Sequence, residues 1–156
     1  MNAHNRLILR LELLWWLATL VALVAALFPV YSTGLAYPFW VSNIIYILVF
    51  ITFFRFIFLL KFTLIAYLQW AKVLFLFLCV PLAIYLINSL HAFQLYVDEE
   101  GLFGIFASLS DERQQQLAAY VRAEMIFFGV GAILSSVILP FRMLISFWRT
   151  HNHGTV

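Results

Sequence analysis

The stretch FWVSNIIYILVFITFFRFIFLLKFTLIAYLQWAKVLFLFLCVPLAIYLINSL, from Phe39 to Leu90, holds only three charged residues, Arg55, Lys61 and Lys72, and all are basic. Enough apolar sequence lies on either side of the Lys61 region to cross a bilayer, which takes about 20 helical residues at about 1.5 Å each. The stretch reads as two membrane spans, about 39–60 and about 70–91, joined by a basic reversal on the cytoplasmic side. Between Ile44 and Val80 there is no Gly, Pro, Asn, Asp or Ser, so the reversal has no turn signature. Helical or interfacial backbone is expected there, around Lys61 to Gln69. Pro81 falls inside the later span, where a kink is expected.

Toward the N-terminus a further apolar run gives a first span of about 11–31, ended by Pro29, Ser32, Thr33 and Gly34. A basic start before an apolar run also fits a signal peptide, but the run is long for one. Toward the C-terminus, His91 to Glu124 is the one long polar segment. Asp98, Glu99 and Glu100 suit the positive end of a short helix. Leu102, Ile105, Phe106 and Leu109 then recur at helical spacing, so an amphipathic helical segment of about 98–123 is expected on the outer surface. Ser110 is a good N-cap, with Asp111 and Glu112 in the first turn. No breaker follows before Gly129, so this helix should run into a fourth span of about 124–148, with a kink at Pro140.

The composition agrees. The chain is 65% hydrophobic and 10% charged, where soluble domains are about half apolar and a quarter charged. The expected fold is all-α, an integral membrane four-helix antiparallel bundle filling residues 1–156 as one domain. A net charge of +2 without a basic helix gives no reason to expect nucleic acid as a partner. The lone Cys79 cannot form a disulfide within the chain.

Charge placement gives the orientation. With four spans, Arg6, Arg10, Arg55, Lys61, Lys72, Arg142 and Arg149 share one side, and Arg113 and Arg122 lie on the other. Basic residues near span ends are retained in the cytoplasm, so both termini are expected there. Trp15, Trp16, Trp70 and Trp148 then mark inner ends, and Tyr31, Tyr37, Trp40 and Tyr96 outer ones. Short loops fit a bacterial inner membrane.

Three groups of residues stand out. Arg55 and Arg142 should sit at similar depth in parallel spans, with Glu12 entering from the same side, so that a Glu12–Arg55 or Glu12–Arg142 pair could form. Snorkelling of all three to the interface is the plainer reading. At the outer side, Tyr85, Asn88 and His91 on span three could meet Arg122 and Glu124 on span four in a polar pocket lidded by residues 98–109, or could simply be interfacial. Gly129, Gly131, Ala132 and Ser135 let another helix approach closely. The sequence does not say which helix that is.

No metal-ligand set, phosphate loop or nucleophile with an evident base is visible, so neither a metal nor a cofactor is expected and an enzyme is disfavoured. The leading expectation is a structural or accessory subunit in the lipid bilayer, acting through a protein partner or as a homo-oligomer. The alternative is a small homo-oligomeric transporter, or a binder of lipid or hydrophobic ligand, using Glu12, Arg55 and Arg142.

Overall fold

The computed structural model describes residues 3–66 and 68–153. Every regular element among them is helical: α1 (Ala3–Tyr31), α2 (Trp40–Leu59), α3 (Gln69–Glu99) and α4 (Asp111–His153), with short 3-10 turns at Leu60–Phe62, Leu64–Ala66 and Phe103–Phe106. All four α-helices are long and apolar enough to cross a membrane, which points to a membrane protein. Contacts order them along the bundle. Glu12, Arg55, Ile57 and Arg142 meet at one end, and Ala26, Asn43, Tyr120 and Glu124 at the other. α2 and α4 therefore run in the same direction, and α1 runs against both.

α4 is the centre of the packing and lies along both α2 and α3. Small residues allow this close approach, because helices in lipid associate through van der Waals contact rather than hydrophobic exclusion. A Cβ on Gly131 would stand 2.6 Å from the Phe50 ring of α2, and one on Gly129 2.9 Å from Leu90 of α3. Ala132, Ser135 and Ser136 are buried beside them. The neighbours that the small residues admit are thus α2 and α3 of the same chain. Aromatic rings lock the other contacts edge to face. Phe39 stands 5.1 Å from Phe93, and Phe56 stands 5.5 Å from Phe75.

α1 is different. Among its described side chains only Ile8, Thr19, Leu27 and Val30 are buried. Its polar ties are Glu12 at one end and, at the other, the Tyr120 hydroxyl, which donates to the Ala26 carbonyl at 2.7 Å. The bundle is a three-helix core with α1 laid thinly along it.

The connections differ from expectation in one place. Asp98 and Glu99 do not begin a helix; they finish α3. Nothing in the sequence breaks α3 before Gly101, whose φ of +72° is the left-handed conformation that glycine adopts without strain. The N–H groups of Glu100 and Gly101 both donate to the Tyr96 carbonyl, closing the helix. Residues 100–110 then form one 3-10 turn, not a helix lying on the surface. Leu102 and Phe106 insert into the core formed by Tyr37, Phe93, Ala118 and Val121. The α2–α3 reversal is two 3-10 turns, steadied where the Thr63 hydroxyl donates to the Leu60 carbonyl at 2.7 Å.

Candidate functional site

Two groups of polar side chains lie inside the bundle, one toward each end. At the Arg55 end, Arg55 Nη1 stands 2.9 Å from Glu12 Oε2. Glu12 Oε1 accepts the backbone N–H of Leu64 at 2.9 Å, so both carboxylate oxygens are engaged. The guanidinium also lies over the Trp15 ring, 5.6 Å from its centre. Arg142 does not reach Glu12. Its Nε donates to the Ile57 carbonyl at the end of α2, 3.0 Å away.

Lys72, on the first full turn of α3, counts in the sequence only as one of the basic residues that set the orientation, not as a site residue. It is 1% exposed, and its ammonium has no hydrogen-bond partner. Gln69 Oε1 and Ser146 Oγ are also buried without partners. Among the described residues this end carries three buried or half-buried cations, Arg55, Lys72 and Arg142, and one buried or half-buried carboxylate, Glu12, which Arg55 and Leu64 already occupy. An unpaired buried charge is strongly unfavourable, so the arrangement is suited to an anion.

At the opposite end the expected pocket does not form. Tyr85, Asn88 and His91 are exposed on α3, and Arg122 is exposed on α4, where it lines a shallow groove with Gln94 and Asp98. Glu124 turns the other way, inward, beside Val121 and Met125. Residues two apart on a helix point about 200° apart, so Arg122 and Glu124 cannot share a pocket wall. Glu124 Oε2 instead accepts the Asn43 side-chain amide of α2 at 2.7 Å. Glu124 Oε1, Asn43 Oδ1 and the hydroxyls of Tyr37 and Tyr46 are buried without partners. Tyr37 sits in the α1–α2 connection, and its phenol is held far above its ordinary ionisation range, first by burial and then by the Glu124 carboxylate. A buried carboxylate with one free oxygen, and three further orphaned oxygens on Asn43, Tyr37 and Tyr46, can hold ordered water or a shared proton. The signal for this group was Asn43, a lone amide at the start of an apolar span.

Among the described residues no three His, Cys, Asp or Glu side chains gather as a metal-ligand set. Compared with known proteins, the chain matches no family model, no curated protein and no solved structure.

Proposed function

We propose that this chain is a multi-pass protein of a bacterial inner membrane that binds an anionic amphiphile at its basic end, with that end and both termini cytoplasmic. One observation carries the reading: the Lys72 ammonium is buried on α3 without a hydrogen-bond partner, while the Glu12 carboxylate is already committed to Arg55 and the Leu64 amide. Positive charge at span ends favours the cytoplasmic side, and the anions concentrated there are lipid headgroups. Glu12, with both oxygens engaged, then serves as a strut that ties α1 and the α2–α3 reversal to Arg55.

A second reading, a structural or accessory subunit working through a protein partner or as a homo-oligomer, is favoured by the thin packing of α1. Gentle extraction of the tagged protein, followed by native mass spectrometry, separates the two. The amphiphile reading expects a stoichiometric lipid of net negative charge on the isolated chain. A stoichiometric protein partner with no retained lipid would replace it with the accessory reading.

A further inference from the structure

Lys72 lies at the head of a groove. Val73, Leu76, Met143, Leu144 and Phe147 line it with Lys72, and it measures about 130 Å³ between α3 and α4. Val73, Leu144 and Phe147 are well exposed along it, so its wall is an apolar surface open to lipid. Lys72 follows the N-terminus of α3, where Leu68 offers no side-chain cap to the free N–H groups of the first turn. A helix N-terminus carries partial positive charge, and a lysine one turn in adds to it rather than balancing it. Arg142, next in the chain to the groove residue Met143, is a second cation on α4, and Ser146, one turn on from Arg142, has a buried hydroxyl without a partner.

Cationic head, unpaired donors and apolar trough together match one class of molecule. We infer that the α3–α4 groove seats a phospholipid of net negative charge, with its phosphate at the N-terminus of α3 beside Lys72 and Arg142 and an acyl chain along Val73, Leu76, Leu144 and Phe147. This rests on the amphiphile-binding reading above and gives it a place and a headgroup chemistry. The four-carbon stem of Lys72 is flexible, so the ammonium can swing from its buried position to the mouth of the groove when a phosphate arrives. Phosphate at a helix N-terminus is a stable arrangement in its own right.

The test uses the full chain, purified in a lipid-free non-ionic detergent, with its thermal midpoint followed as lipid is added. Phosphatidylglycerol should raise the midpoint of the wild type. Phosphatidylcholine of the same chain length, or inorganic phosphate alone, should do so far less. Lys72→Met should need about tenfold to a hundredfold more phosphatidylglycerol, the scale of one charge-assisted hydrogen bond, and Lys72→Arg should recover much of the response. Without lipid, Lys72→Met should be at least as stable as the wild type, because it removes a buried charge that has no partner. A Lys72→Met protein that fails to fold, or that responds like the wild type, overturns the site; in the second case amphiphile binding survives elsewhere on the chain. An equal response to phosphatidylcholine overturns the role given to charge. An equal response to inorganic phosphate overturns the lipid assignment. A wild type indifferent to every lipid overturns this inference and the broader reading together.

Discussion

Glu12 is a single carboxylate with two obligations, the Arg55 guanidinium and the Leu64 amide. Glu12→Gln keeps an oxygen for the amide but leaves Arg55, 5% exposed, as a buried cation without a counter-charge. Loss of one partner of a buried ion pair costs about 3–5 kcal/mol, and the partial exposure of Glu12 places the expected loss at the lower end, read as a lowered unfolding midpoint in detergent. Tyr37 gives a pH-dependent counterpart. Its phenol is raised by burial and by Glu124, so the folded state keeps a proton that the unfolded chain releases near pH 10. Its contribution is fully present below that pH and is lost as pH climbs further. The wild type should therefore lose stability above about pH 10 more steeply than Tyr37→Phe, while the two should be nearly equal at pH 7 because the hydroxyl has no partner to lose. A parallel decline in both proteins would remove Tyr37 from the polar core. The sequence marked Glu12, Arg55 and Arg142 by depth alone. It did not mark Lys72 or Asn43 as inward-facing for a physical reason: spans apolar on every face show no stripe that tells the inward side from the lipid side.

Among the elements, α4 bears most of the architecture. Its length was legible because Asp111 and Glu112 open a run that no breaker interrupts before Gly129. The close of α3 was not, since three consecutive acids suit the start of a helix and give no sign that the preceding one has yet to end. Gly101 was the available signal, a residue placed to take a positive φ after a long unbroken helix. The α4 packing face makes a direct prediction. Gly131 faces the Phe50 ring so closely that Gly131→Val must move the ring or the helix, and overpacking of this kind costs about 1–3 kcal/mol. Val137→Ala, a change of two methyl groups on the exposed side of α4, should alter the midpoint little. A Gly131→Val protein as stable as the wild type would mean that α2 and α4 do not approach as described.

At the scale of the whole molecule, a three-helix core carries α1 along one side, with unpaired cations at one end and an inward carboxylate at the other. What the basic end can bind depends on which face of the membrane it meets. The proposed orientation rests on seven of the nine basic residues falling on one side of four spans. Four helices of spanning length were legible from hydrophobic runs alone, whereas the thinness of α1's packing was not, because lipid-facing and helix-facing surfaces in a bilayer are equally apolar. The most direct measurement is cysteine labelling of intact cells with a membrane-impermeant reagent, in a Cys79→Ala background, with single cysteines at Thr33, Gln115 and Asn152. Thr33→Cys and Gln115→Cys should label from outside, and Asn152→Cys only after the membrane is opened. Labelling of Asn152→Cys in intact cells, with Gln115→Cys protected, would put the cationic end on the wrong side of the membrane and contradict the account.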